Sequence, residues 1–372
     1  MSIPKTMKAA RMHDVGSPMK IEEVPVPEVR SNDVLVKVHS CGIVPNLGNV
    51  LKNWTTWFPE RPLPPLPAIF GLDPAGEIVA VGSQVHYWQP GDRVYVNPGR
   101  HCGGCRACRD GRHEHCEYYT FNGYFGFSEK SLKIFDDYPY GGLCQYMTAP
   151  QYSLVSLPDS VSYDQAARLG YLGTAYAGLR KAQIRPGQTV MVSGASGTLG
   201  LGAILLALGM GATRILGVAR NKELLARVKA LAPERIEVKS INDNESVEDW
   251  VQRMTANEGL DLYVDCIGPG GGHDILLSAM RVLKRGGKAV DIGAIAGDVP
   301  VDLHTVMDLQ QTVIGSCWFT AAEGQDMADM AGAGTLNMSV FEHVASPLEQ
   351  INEAISGIEN RSGGFSNFVI HP

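Results

Sequence analysis

No apolar stretch in this sequence is long enough to span a bilayer. The longest, around Gly202 to Met210, is short and interrupted by glycine. Runs of basic residues are also missing. Acidic side chains outnumber basic ones, 39 against 32, for a net charge of −7. That balance argues against nucleic acid and anionic membrane as partners. The opening residues, Met1 to Lys8, lack an apolar core, so no secretion signal is expected. Low-complexity segments and internal repeats are absent as well. Eight cysteines are present, half of them in one cluster, which suits a reducing cytoplasm better than a disulfide framework.

That cluster is the densest chemistry in the chain. Cys102, Cys105 and Cys108 are each separated by two residues, and Cys116 follows after seven more. Four thiolates so spaced can close a tetrahedral shell around one zinc ion. Gly103 and Gly104 free the turn between the first two sulfurs. With every position taken by cysteine, no coordination site is left for a substrate, so this zinc is structural.

At 372 residues the chain is too long for one ordinary core. Residues 1–160 carry short strand patterns broken by Pro and Gly, among them Asp33–His39, Gly76–Val81 and Asp92–Val96. The metal lobe lies within this part, at about 98–118. Over 161–314 strands alternate with helices: Thr189–Ser193, Arg214–Val218, a helix from Lys222 to Leu231, Leu260–Asp265 and Lys288–Ile292. Alternation of this kind predicts an α/β fold with a doubly wound parallel sheet. Residues 315–372 return to mixed character and are expected to complete the first domain.

Between the strand Thr189–Ser193 and the next helix lies Gly194-Ala-Ser196-Gly197-Thr198-Leu199-Gly200. Such a turn lets backbone N–H groups at a helix N-terminus approach a dinucleotide pyrophosphate. A carboxylate at the end of the following strand would select NAD by holding the ribose 2′-hydroxyl. Here that strand ends Ala219-Arg220-Asn221, with no acid and one arginine. A guanidinium clamps a 2′-phosphate with charge-assisted bonds, which favours NADP(H), although a solvated surface arginine reads the same way.

A four-cysteine lobe, a strand-rich first domain and a nucleotide turn together resemble the medium-chain dehydrogenase/reductase superfamily, in its zinc alcohol dehydrogenase branch. The likeness extends to Val36–Ile43, Pro90–Val94, Gly141–Tyr146, Gly173–Tyr176 and Arg285–Gly287. It implies a GroES-like catalytic domain, a Rossmann domain, a cleft between them for hydride transfer, and a homodimer or homotetramer. It also implies that Thr174, Cys266, Ile267, Gly268, Gly293 and Ala294 border the cofactor.

The family's catalytic zinc site, in contrast, is dismantled residue by residue. Its first ligand is kept as Cys41. The family's relay hydroxyl is replaced by Asn46 and the acid after it by Leu47. The family's Gly-His-Glu reads Gly71-Leu72-Asp73, and the third ligand falls at or near Tyr171. One sulfur and Asp73 are too few for a stable tetrahedral site. Pro45 and the longer nucleotide turn resemble the zinc-free quinone reductase branch.

Without a metal to polarise a carbonyl, hydride needs an acceptor that is already electrophilic, such as an enone, a quinone or an iminium ion. The negative charge then needs hydrogen-bond donors. Cys41, Asn46, Asp73 and Tyr171 are the candidates, against plain readings of Asn46 as a turn residue and Tyr171 as a pocket wall. His39 reads as structural, and His101, His113 and His115 as surplus to the lobe's sulfurs. Trp54, Trp57 and Phe58 point to a bulky or flat apolar small molecule, or to local packing. The long stretch from Phe127 to Pro139 is a candidate specificity loop. Two alternatives stay open: a zinc alcohol dehydrogenase or carbonyl reductase completed by unusual ligands such as Cys41 and Asp73, and a non-catalytic NADPH-binding sensor.

Overall fold

The computed structural model describes residues 3–45, 47–269, 271–295, 297–358 and 361–372. Two large sheets organise them. In the first, the strands run in the spatial order Leu154–Ser156, Arg93–Val96, Asp73–Val81, Asp33–Gly42, Ser366–His371, Glu342–Pro347, and Tyr146–Pro150 also pairs with Asp33–Gly42. Asp33–Gly42 is the hub. Its Val34, Val36 and Val38 are buried, as β-branched residues on a covered pleated surface should be. The end of the chain joins here, with Val369 opposite Gly42 and Ile370 opposite Cys41.

The second sheet is parallel throughout, in the order Ile236–Ser240, Arg214–Ala219, Thr189–Ser193, Leu260–Asp265, Leu283–Asp291, Thr312–Gly315. Its central strands are covered on both faces, so they read as near-continuous apolar runs without alternation. The helix Thr198–Gly209 is buried for most of its length because it packs between this sheet and the helix Leu169–Lys181. The helix Lys222–Ala230 begins at Asn221, whose side chain accepts the Leu224 N–H at 3.0 Å.

The expected GroES-like and Rossmann layers are both present. The differences in strand ends are informative. The strand expected from Gly76 starts at Asp73, and the one expected from Lys288 starts at Leu283. Glycine and charge interrupt the pattern at these ends; pairing runs through Asp73 to Gly76, whereas along Leu283–Asp291 it passes from Leu283 to Lys288 across a register shift. No helix among the described residues is long and apolar enough to cross a membrane.

Candidate active site

The cysteine lobe folds as its spacing requires. A helical turn, Arg106–Arg109, lifts Cys108 toward the others, and Gly103 takes a left-handed φ of +72°. The Sγ atoms of Cys102, Cys105, Cys108 and Cys116 all lie within 4.8 Å of one another. Cys105 and Cys108 approach to 3.5 Å, and Cys116 and Cys102 to 3.6 Å. The edge of a tetrahedron with zinc–sulfur bonds of 2.3 Å is about 3.8 Å. Backbone N–H groups of Cys102, Cys105 and Tyr118 point at these sulfurs at 3.3–3.4 Å, as they do at thiolates. The donor set fits a structural zinc ion. His101 borders the lobe, stacked on His113 at 4.1 Å.

The dinucleotide turn is equally well formed. Gly194 has φ +62°, and a Cβ on Gly200 would lie 2.1 Å from the Gly194 carbonyl oxygen. Only glycine allows the helix to sit this close to the turn. Gly197 precedes the helix without a side-chain cap, so the first-turn N–H groups of Thr198, Leu199 and Gly200 are left for a phosphate. Ser196 is buried beneath the turn. Asp265 ties the strand ends together: Ser193 Oγ donates to it at 2.7 Å, Tyr263 OH at 2.6 Å and the Ile267 N–H at 3.2 Å. Ser193 Oγ in turn accepts the Cys266 N–H.

A Cβ on Gly293 would fall 2.2 Å from the Ile267 carbonyl oxygen, so the loops carrying Cys266–Gly268 and Gly293–Ala294 abut. Asp291 accepts the N–H groups of Gly293 and Ala294, which holds Ala294 at φ +65°. Ala219 is buried and Arg220 exposed, and the Arg220 guanidinium has no ion-pair partner among the described residues. Thr174, half-buried on its helix, donates to the Gly170 carbonyl at 3.1 Å.

Pairing of neighbouring strands places Cys41 opposite Pro74 and Gly42 opposite Asp73. Cys41 is fully buried, and burial raises its thiol well above the ordinary range. Asp73 is buried too. Tyr95 OH donates to its Oδ1 at 2.8 Å, and desolvation pushes its carboxyl up to about 7 despite that bond and the nearby Arg168. A Cβ on Gly170 would lie 2.0 Å from Asp73 Oδ1. Leu72 is buried and lines a small cavity with Gly42, Ile43, Val44, Leu47, Gly71, Gly123, Tyr124 and Leu143. Tyr171 is partly buried next to this group. Asn46 lies outside the described residues. Among the described residues, the four cysteines are the one group of three or more His, Cys, Asp or Glu ligand atoms that converges.

Several site residues left no trace in local pattern. Arg168 is buried, donates to the Gly364 carbonyl at 2.8 Å, and lies over the ring of Phe341. Gly364 also gives its N–H to Ser196 O at 2.8 Å, so the segment before the last strand rests on the phosphate turn. Tyr124 sits in the turn of a hairpin, Thr120–Phe121 and Phe125–Gly126, whose Gly123 accepts the Gly71 N–H at 3.0 Å. The Asn122-Gly123 pair signals a hairpin, but nothing local says that it docks on Leu72.

Trp54 is packing: it is buried among Phe58, Tyr124 and Phe125 and donates to Arg61 O at 2.8 Å. Trp57 is exposed. The stretch from Phe127 to Pro139 forms the helix Leu132–Asp137 and lines a second cavity with Pro64, Pro65 and Pro67, apart from the one at Leu72.

Residues 30–159 match the alcohol dehydrogenase GroES-like domain, and 198–333 match the zinc-binding dehydrogenase domain. The sorbitol dehydrogenase of Bacillus subtilis is 30% identical over 84% of this chain and 83% of its own. This chain belongs to the medium-chain dehydrogenase/reductase superfamily. It is an oxidoreductase of the alcohol dehydrogenase-like type. An NAD-dependent alcohol dehydrogenase of Sulfurisphaera tokodaii is 28% identical, covering 95% of this chain and 97% of its own. The crystal structure of AibC superposes with a TM-score of 0.81 at 26% identity, covering 99% and 96% of the two chains.

Proposed function

We propose that this dehydrogenase/reductase uses NADP(H) to reduce an activated C=C or C=O bond, of enone, quinone or iminium type, without a catalytic zinc. The observation that carries the reading is the side-chain set around Cys41. Leu72 offers no donor atom, and at 170 glycine leaves only hydrogen. Asp73 is already held by Tyr95 OH. One thiol and one engaged carboxyl do not fit a tetrahedral metal centre.

The cofactor would rest its pyrophosphate on the turn Gly194–Gly200, with Arg220 beside the adenosine ribose. Bound there, a reduced nicotinamide supplies hydride. The protein's part is to exclude water and to meet the charge that develops on the acceptor oxygen. The apolar cavity walls, Ile43, Val44, Leu47, Leu72 and Leu143, serve the first purpose. A homodimer or homotetramer is consistent with the exposed outer strand Thr312–Gly315 and the exposed Leu303 and Met307 nearby.

Zinc counted per chain after brief dialysis against a mild chelator, together with NADPH oxidation over a panel of enones, quinones and imines, tests this. One tightly held zinc and turnover of conjugated acceptors are expected. Two zincs and turnover of simple alcohols would overturn the reading, and NADPH binding with no turnover would identify a sensor.

A further inference from the structure

The cavity at Leu72 measures about 10 Å³, room for about one water. The second cavity measures about 290 Å³, near the lower end of small-molecule pockets, which span roughly 300–1,000 Å³. It lies where the proline-rich stretch Pro59–Pro67 meets the segment Phe127–Pro139. The hydride chemistry proposed above uses neither stretch.

Its walls have a definite chemical character. Pro64, Pro65, Pro67 and Pro139 line it. Proline has a carbonyl but no N–H, so these residues present backbone acceptors and no backbone donors. Phe135 and half-buried Tyr140 add aromatic rings. Two charged residues also border the cavity, and only one of them is balanced. Arg11 Nη1 donates to Glu22 Oε2 at 2.8 Å, and Nη2 to the Pro67 carbonyl at 3.2 Å. Asp136 is exposed and has no ion-pair partner among the described residues, although Asp137 beside it is held by Arg30 at 2.7 Å. Acceptor-rich walls, aromatic faces and one unbalanced carboxylate disfavour an anion and suit a cation with an apolar body.

The two cavities share their walls. Ile69 and Tyr140 line the large one, and the same two segments continue to Gly71, Leu72 and Leu143, which line the small one. Backbone bonds lace these segments together. Gly141 N–H donates to Ile69 O at 3.0 Å, Gly142 N–H to Gly71 O at 2.8 Å and Leu143 N–H to Phe70 O at 2.8 Å. Asn122 Nδ2 donates to the Tyr140 carbonyl at 2.9 Å, which adds the hairpin turn carrying Gly123 and Tyr124. The junction has no slack. A Cβ on Gly71 would lie 2.5 Å from the Leu143 nitrogen, and one on Gly141 would lie 2.6 Å from Gly123 Cα. Close-packed backbone of this kind transmits displacement and does not absorb it.

From these walls we infer that the larger cavity is an effector site for a small organic cation with an aromatic or other apolar body, whose occupancy sets the shape of the Leu72 cavity. A ligand of this class meets Asp136 with its charge and Tyr140 with its apolar part. It acts on the smaller cavity to the extent that it binds one arrangement of the shared segments more tightly than another. The effector role rests on the reading above that substrate enters at Leu72. The binding site itself does not.

The test titrates benzyltrimethylammonium into the full chain at low salt, followed by calorimetry, with benzoate as the probe of opposite charge. One saturable cation site per chain is expected, with benzoate weaker by about tenfold or more. Asp136→Asn and Tyr140→Leu should each weaken the cation about threefold, and Asp136→Lys about tenfold or more. Asp136 is an exposed helix residue, so its variants keep the fold, which an unchanged NADPH fluorescence enhancement checks. Saturating cation should also slow amide hydrogen exchange at residues 69–72 and 120–125 in the wild type and leave it unchanged in Asp136→Lys. Absence of saturable binding, equal affinity in wild type and Asp136→Lys, or tighter binding of benzoate overturns the site. Binding with unchanged exchange at residues 69–72 overturns the effector role. Failure of every conjugated acceptor to turn over would count against the proposed function alone, since neither readout needs catalysis.

Discussion

Gly170 lies against Asp73 so tightly that a methyl group in place of its hydrogen would be 2.0 Å from the carboxylate oxygen. The carboxyl therefore fills the space that a side chain at 170 would need. Alanine at 170 must displace it, and overpacking of this kind costs about 1–3 kcal/mol. Gly170→Ala is expected to lower the unfolding midpoint in urea by a corresponding amount. In an Asp73→Ala background the same change should cost much less, because the two sites share one space. Equal costs in both backgrounds would refute the contact.

Asp73 also predicts a pH dependence. Its carboxyl is held up to about 7 in the fold against 3.8 in the free side chain, chiefly by burial. The folded chain thus binds this proton more tightly than the unfolded chain. The stabilisation is complete below about pH 4, declines as pH rises through the interval to about 7, and is flat above it. A displacement of this size corresponds to on the order of 4 kcal/mol. Asp73→Asn should remove this component, so the wild-type stability difference between pH 5 and pH 8 should exceed that of the variant. Parallel pH profiles from urea unfolding would contradict it.

The cysteine lobe should be separable from cofactor binding. Cys105→Ser removes one of four sulfurs and is expected to bring zinc close to zero per chain and to lower the thermal midpoint. The nucleotide turn is built by other elements, so NADPH fluorescence enhancement should survive at temperatures where the variant is folded. Loss of that signal at full secondary structure would mean the lobe supports the cleft directly.

Arg220 is exposed at the strand end where no acid stands. Arg220→Gln should cost NADPH about 1.5–3 kcal/mol, a charge-assisted bond to phosphate, and leave NADH affinity almost unchanged. Fluorescence titration of both cofactors decides the matter. A wild type that binds NADH as well as NADPH would remove the premise.

What the sequence made legible was local in origin. Two-residue cysteine gaps, the turn Gly194–Gly200 and the apolar run Thr189–Ser193 each encode their geometry within a few residues. Contacts of Arg168 with Gly364, Gly170 with Asp73 and Tyr124 with Leu72's cavity join distant segments. Periodicity cannot report such contacts, since each depends on how whole elements dock. Leu72, by contrast, was legible as a residue without a donor atom wherever the chain placed it.

The pairing of Val369 with Gly42 also sets an order of events during synthesis. The hub strand emerges early, but its neighbour on one side is made only after the whole parallel sheet has left the ribosome. Closing so long a loop is entropically slow. Until then the Cys41 edge of the first sheet stays open. The parallel sheet can fold first, and the sheet that carries Cys41 is finished last.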